Sequence, residues 1–310
     1  MKLSIVTTLY CSANHISDFY QRATAAAKEL VGEDFELVFV NDGSPDNSIE
    51  LAIEISRQDQ HVVVVDLSRN FGHHKAMMTG LSYARGDKVF LIDSDLEESP
   101  EWLLSFDEQL EKEKCDVVYG VQESRKGSLF ERLTGSFYYW VLDRTINIDH
   151  PKNITTARLM KKPYVESLML YREREIVMSG LWVLTGYIQN QQFVQKESTS
   201  ATTYSLVHKL AHLVNVVTSF SSKPLMSIFF TGSLIFSGSV MYALFLIINR
   251  LFFSIPVDGW TSIMVSIWLL GGLIILFVGV IGIYLSKVFI ETKQRPISIV
   301  KNIYGLKRPE

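Results

Sequence analysis

Asp93 and Asp95 stand one residue apart in Lys88-Val89-Phe90-Leu91-Ile92-Asp93-Ser94-Asp95, where an apolar strand runs out into a loop. Two carboxylates so spaced at a strand end can hold a divalent cation, and a cation there can neutralise the diphosphate of a nucleotide. Three other stretches carry chemistry-bearing residues near strand ends. Asn41-Asp42-Gly43-Ser44 reads either as a turn whose Ser44 or Asp46 caps the next helix, or as a carboxylate that holds a base or ribose. Ser68-Arg69-Asn70-Phe71-Gly72-His73-His74-Lys75 either offers donors to phosphate and sugar hydroxyls or is a solvated loop that caps a helix. His73 and His74 are adjacent, so on a helix they point in different directions and make a poor metal pair. Arg125, Lys126 and Arg132 either meet a departing diphosphate or an acceptor phosphate, or form an exposed basic loop.

Short apolar runs alternating with helical patterns must position these residues. Residues 3–8, 36–40 and 62–67 and the run ending at Asp93 read as strands; residues 16–31, 47–57 and 73–84 read as helices between them. That order predicts an α/β fold with a mostly parallel sheet and helices on both faces. Ligands of such sheets bind beyond the carboxyl ends of the strands, where Thr8, Asp42, Arg69 and Asp93 all fall. Further on, residues 102–112 read as a helix and 116–120 as a strand, and Phe130, Leu133, Phe137 and Val141 form a helical stripe of core type. Residues 176–188 are apolar but too short to cross a bilayer, and read as a buried segment.

The 310 residues carry 30 Lys and Arg against 33 Asp and Glu, a formal net charge of -3, which gives no electrostatic footprint for nucleic acid. Two distant cysteines, Cys11 and Cys115, support neither a disulfide framework nor a zinc site. Met1-Lys2-Leu3-Ser4-Ile5-Val6 leads straight into a strand without the pattern of a signal peptide, so the first two thirds are expected to fold in the cytosol. Residues 224–249 and 259–286 contain no charge, and each stretch exceeds the roughly 20 residues a helix needs to cross the hydrocarbon core. Lys209 and Lys223 before the first stretch, and Lys287, Lys293, Arg295 and Lys301 after the second, put both ends on the cytoplasmic side. Leu206, Leu210, Val214 and Val217 lie on one side of a helix over residues 204–221, which is expected at the interface. The expected organisation is a cytoplasmic catalytic domain at 1–203, an amphipathic helix at 204–223, a two-helix transmembrane hairpin at 224–288 and a basic cytoplasmic tail at 289–310.

The order of Asn41-Asp42-Gly43-Ser44, Ser68-Arg69-Asn70-Phe71-Gly72, Ala84-Arg85-Gly86-Asp87 and Asp93-Ser94-Asp95-Leu96, with Pro100-Glu101 just after, resembles the family 2 glycosyltransferases. The resemblance is to the polyprenyl-phosphate members akin to dolichol-phosphate mannose synthase. The closing apolar pair and the basic Arg295-Pro296 segment are similar to the bacterial bactoprenol-linked enzymes of the cytoplasmic (inner) membrane.

That resemblance implies a GT-A fold and inverting transfer of a sugar from a nucleotide diphosphate of UDP, GDP or dTDP type to a polyprenyl phosphate. By position, Thr8, Tyr10, Asp42, Asp93, Ser94 and Arg125 would meet the nucleotide sugar, and Arg132 and Arg158 the acceptor phosphate or diphosphate. Asp93 and Asp95 would be the catalytic carboxylates, holding Mg2+ or Mn2+ with Glu97, which stands where many relatives have glutamine. The chain departs from the pattern at Thr156 and Ala157, where relatives often show an acid and a phenylalanine before Arg158, at Glu197, where arginine is usual, and around Thr203, where a glycine and a lysine are missing. The resemblance also allows a homo-oligomer packed through the membrane helices. Two other readings keep the fold: transfer to a lipid-linked glycan or polysaccharide, which needs a general base, and a non-catalytic membrane scaffold that binds nucleotide sugar.

Overall fold

The computed structural model describes residues 1–122, 153–196, 214, 217–253 and 259–305. Arg125, Lys126, Arg132, the stripe from Phe130 to Val141, Glu197, Thr203 and most of the expected interfacial helix lie outside the described residues.

The first half alternates as its apolar runs demand: β1 (Leu3–Leu9), α1 (Ile16–Val31), β2 (Phe35–Asn41), α2 (Ser48–Gln58), β3 (Val62–Leu67), α3 (His73–Tyr83), β4 (Lys88–Leu91), α4 (Trp102–Glu113) and β5 (Val117–Gln122). Then come β6 (Ile154–Lys161), α5 (Lys162–Leu168), α6 (Met178–Leu184), β7 (Gln189–Val194), two long helices α7 (Lys223–Phe253) and α8 (Trp260–Thr292), and β8 (Val300–Tyr304). The chain divides into two compact units, one holding the whole sheet including β8, the other holding α7 and α8.

One sheet of eight strands runs in the order β7-β5-β6-β4-β1-β2-β3-β8. Its centre, β4-β1-β2-β3, is parallel, with Ile5 against Leu37 and Phe90, and Val38 against Val63. β6 runs antiparallel between β4 and β5, β7 pairs parallel with β5, and β8 is antiparallel to β3. The strands β1, β2 and β3 are buried at every position, as parallel strands covered on both faces must be. Alternate residues serve opposite faces: Leu3, Ile5, Phe35, Leu37 and Phe90 pack with Phe19, Ala23, Leu103 and Phe106 of α1 and α4, whereas Val6, Val38, Val65 and Leu91 pack with Met77, Leu81, Tyr164 and Trp182. The Ala84-Arg85-Gly86-Asp87 segment is structural: Arg85 Nε donates to buried Glu36 Oε2 at 2.8 Å, and Gly86 N to Ser4 Oγ at 2.7 Å.

The pairing places β1, β2, β3, β4, β5 and β7 carboxyl ends at one edge. Because β6 and β8 are reversed, their first residues reach that edge too. The sequence reading did not foresee β6, β7 or β8. The segment after α8, expected as a basic tail, instead adds β8 to the free edge of β3, with Val65 opposite Ile303 and Ser68 N donating to Ile299 O at 2.9 Å.

The helices α7 and α8 have 31 and 33 residues, about 46 and 50 Å at ~1.5 Å per residue. Among the described residues one stretch, Leu269–Thr292, is long and apolar enough to cross a bilayer. Its apolar side chains are uncovered, Ile275 being 75% and Leu285 65% exposed. The composition of α7 is more mixed, because Thr231, Gly232, Ser233, Ser237, Gly238 and Ser239 interrupt its apolar residues. Within this unit Lys287 Nζ donates to Ser219 Oγ at 2.8 Å and Tyr284 Oη to Ser221 O at 2.6 Å.

Candidate active site

The strand exits are knitted to one another before any ligand is considered. Asp42 is buried, and its two oxygens accept the backbone N–H groups of Phe71 at 2.7 Å and Gly72 at 3.0 Å. Gly43 lets the two loops approach: its φ is +60°, and a Cβ there would meet Asn70 N at 2.4 Å. Ser44 Oγ accepts from Cys11 N at 2.8 Å, Ser48 Oγ from Ser12 N at 3.0 Å, and Asp46 from Ala13 N at 3.1 Å. Burial pushes the Asp46 carboxyl up, but the Ser44 and Ser48 hydroxyls and two backbone amides outweigh it and bring it down to about 2. The two sequence motifs are thus one structure, and Asp42 fastens a loop in addition to any ligand it meets.

The segment after β4 is held at the same edge. Ser94 is buried, its hydroxyl donating to Thr8 O at 2.9 Å and lying 3.0 Å from Ser12 Oγ. Asp95 is exposed, as is Tyr10, and Glu97 N donates to Asp95 Oδ1 at 3.0 Å. Asp93 Oδ1 is buried with no hydrogen bond of good geometry, 3.3 Å from His73 Nε2, while His73 Nδ1 lies 3.0 Å from Thr8 Oγ1. Burial raises the Asp93 carboxyl, but His73 above all, with the Thr156 side chain and the Lys196 charge, holds it below the usual carboxylate range. Burial lowers the His73 imidazole, yet Asp93, Asp42 and Asp95 together raise it. Burial and the charges of Asp93 and Glu97 push Asp95 up against the pull of the Glu97 amide. A carboxylate raised by its like-charged neighbours marks a place short of positive charge.

The structure therefore brings together Thr8, Ser94, Asp93, Asp95 and Glu97. It does not bring Arg158 to this edge. That side chain is buried, lying with its guanidinium carbon 3.0 Å from the Trp182 ring centre and 5.9 Å from that of Tyr119; burial lowers it to about 10. β6 is antiparallel, and Arg158 sits opposite Leu91, the last residue of β4, with its side chain on the face that packs Tyr164 and Trp182.

Three residues of the site were not anticipated. His73 was considered only as half of a histidine pair, whereas it bridges two strand exits. Glu98 is fully buried, its carboxylate accepting from Thr156 N at 3.0 Å, Ala157 N at 2.7 Å and Lys196 Nζ at 2.7 Å. Lys196 follows β7, and no pattern around it in the sequence marks it. Glu98 had a signal, an acid three residues after Asp95, but one shared with the adjacent Glu97.

Among the described residues no three His, Cys, Asp or Glu side chains gather into a ready metal site, so the expected trio of Asp93, Asp95 and Glu97 is not preformed. Three like charges repel, and Glu97 Oε2 instead lies 3.9 Å from Lys196 Nζ. Asp93, whose Oδ1 makes no hydrogen bond of good geometry, and the exposed Asp95 do fit the other way Mg2+ is held, by one or two carboxylates with phosphate oxygens completing the shell.

The profile of glycosyl transferase family 2 matches residues 4–169. The chain belongs to that family. A Mycobacterium tuberculosis protein described as a glycosyltransferase is 48% identical over 305 residues, covering 98% of this chain and 89% of that protein. The bactoprenol glucosyl transferase of Shigella phage SfV is 32% identical over 306 residues, 97% of this chain and 99% of that protein. Among solved structures, TarS residues 1–349 of S. aureus align with a TM-score of 0.46 at 17% identity, over 71% of this chain and 65% of that one, too remote to carry an argument. The family membership makes this chain a glycosyltransferase with an α/β, GT-A-like fold.

Proposed function

We propose that this glycosyltransferase moves a sugar from a nucleotide diphosphate to a membrane polyprenyl phosphate, with inversion at the anomeric carbon. The observation that carries the proposal is Asp93 Oδ1, buried with His73 Nε2 3.3 Å away and no hydrogen bond of good geometry, next to the exposed Asp95 at a strand exit. The printed name of the SfV relative supports the acceptor, and the exposed apolar surface of Leu269–Thr292 supports a bilayer setting. In this reading α7 and α8 cross the cytoplasmic membrane as a hairpin with the sheet on the cytoplasmic side, as the lysines and arginines flanking the two apolar stretches favour.

An acceptor phosphate oxygen attacks C1 of the donor sugar as the bond from C1 to the nucleotide diphosphate breaks, and that single displacement inverts C1. The bonding pair leaves with the diphosphate. A phosphate monoester has its second pKa near 6, so the attacking oxygen already bears charge at about pH 7 and needs no general base. Asp93 and Asp95 would hold Mg2+ or Mn2+, which when bound offsets charge on the departing diphosphate. Thr8, Tyr10 and the loops joined by Asp42 would bind and orient the nucleotide, and Ser94 keeps the Asp93 loop seated on β1. A lipid-linked glycan acceptor would require a base; Glu98, enclosed by Lys196 and two amides, is not available to serve as one.

Membranes containing the full chain, incubated with radiolabelled nucleotide sugars and polyprenyl phosphate, should yield labelled lipid from one donor. Nucleotide binding without labelled lipid from any donor would favour the scaffold instead.

A further inference from the structure

Four carboxylates, Asp93, Asp95, Glu97 and Glu98, follow β4 within one short segment, and a lysine from the far end of the sheet stands among them. Lys196 comes just after the edge strand β7, with Nζ 2.7 Å from Glu98 Oε1 and 3.9 Å from Glu97 Oε2. Glu97 N donates to Asp95 Oδ1 at 3.0 Å, so the ammonium lies against the turn that carries Asp95. Glu98 is enclosed and also accepts Thr156 N and Ala157 N, which fixes it and the lysine bound to it. Lys196 itself keeps 22% of its side chain exposed, on the edge where the nucleotide diphosphate would arrive. An ammonium carries three donors; Glu98 takes one, and Glu97 is beyond hydrogen-bond reach.

We propose that Lys196 is a phosphate-contacting residue of the transfer reaction, held in place by Glu98 while its remaining donors meet a phosphate oxygen at the Asp93–Asp95 edge. Its charge has the sign this edge lacks. Four carboxylates exceed what one divalent cation offsets, and a diphosphate or a phosphate monoester arriving there adds more negative charge. On the donor diphosphate, the ammonium would stabilise charge that grows as the bond from C1 breaks and the bonding pair departs; it gives a hydrogen bond and keeps its proton. On the acceptor, it would hold the phosphate whose oxygen attacks. The chemistry is the same in both, a phosphate oxygen accepting from a fixed ammonium. This role rests on the glycosyl transfer proposed above.

The test titrates full-length protein in detergent and saturating Mg2+ with UDP, GDP, dTDP and the matching nucleosides, and measures the KM for polyprenyl phosphate in parallel. Loss of one hydrogen bond to a charged group weakens binding by roughly 10-fold or more. Lys196→Met should therefore weaken binding of the nucleoside diphosphate that wild type prefers, or raise the KM for polyprenyl phosphate, by that factor, with nucleoside affinity unchanged. The first result puts Lys196 on the donor diphosphate and the second on the acceptor phosphate. No change in either, or an equal loss of nucleoside affinity, overturns the contact and leaves the glycosyl transfer standing. Glu98→Gln combined with Lys196→Met removes both charges of the buried pair and so separates phosphate contact from neutralisation of Glu98. The double variant should stay as weak as Lys196→Met; recovery to wild-type values would show that the lysine only balances Glu98, and overturns the proposal. If Lys196→Met alone does not fold, the double variant, which buries no unmatched charge, decides the matter. Wild-type protein that binds none of the nucleoside diphosphates and transfers no sugar overturns the glycosyl-transfer reading and the contact with it.

Discussion

His73 Nε2 stands 3.3 Å from Asp93 Oδ1, and the opposite nitrogen of the same ring is 3.0 Å from Thr8 Oγ1. The first residue of α3 thus links the exits of β1 and β4. Replacing it by Gln keeps a polar group but not the bridge. His73→Gln should lower kcat/KM about 10-fold, equivalent to ~1.4 kcal/mol of transition-state stabilisation, with little change in melting temperature. Steady-state transfer and a thermal melt check both.

Asp95 is exposed and accepts only the Glu97 amide among the described residues, so the fold does not depend on it. Asp95→Ala should reduce transfer at least about 100-fold while stability changes by less than ~0.5 kcal/mol, the usual range for a surface position. Normal transfer by membranes carrying the variant would show that the metal assignment is wrong.

Removal of divalent cations gives a complementary prediction. EDTA should stop transfer, and added Mg2+ or Mn2+ should restore it, because the carboxylates alone place more negative charge beside a diphosphate. Activity indifferent to chelation would point to a metal-free mechanism.

Gly43 sits at φ +60° with Asn70 N 2.4 Å from the place a Cβ would occupy. Gly43→Ala should therefore separate the loop after β2 from the loop after β3, destabilising the protein by roughly 1–3 kcal/mol and raising the KM for nucleotide sugar more than it lowers kcat. Chemical denaturation and donor titrations measure the two effects.

Asp46 supplies a pH dependence whose sign follows from its lowered carboxyl, about 2 against an ordinary 3.8. A depressed carboxylate stabilises the folded state fully above its unfolded pKa, and that contribution disappears as pH falls from about 4 to about 2. Asp46→Asn should flatten the acid limb of the stability profile in that window. At pH 7 it should cost about 1 kcal/mol through weaker bonds to Ser44, Ser48 and Ala13.

The parallel centre of the sheet was legible because its strands are continuous apolar runs, Val62-Val63-Val64-Val65 being the plainest, and their polar exits follow from the same pattern. The outer strands were not. In β6 Thr155, Thr156 and Arg158 break the apolar run, and Arg158 is paired with aromatic rings that arrive from α5 and α6. In β7 Gln189-Asn190-Gln191-Gln192 carries the polarity of a sheet edge, and in β8 Lys301 and Asn302 read as part of a basic tail. Asp93 and Asp95 stood out by local spacing, whereas the Glu98–Lys196 pair joins positions about a hundred residues apart and leaves no local trace.

Val65 and Ile303 lie side by side in the finished sheet but are separated by most of the chain. At ~5–20 residues per second a ribosome needs about 10 to 50 s to travel from one to the other, and the apolar helices emerge in between. The nascent first half of the sheet must wait through that interval with an unpaired flank, open to chaperones or to another copy, until β8 seals it.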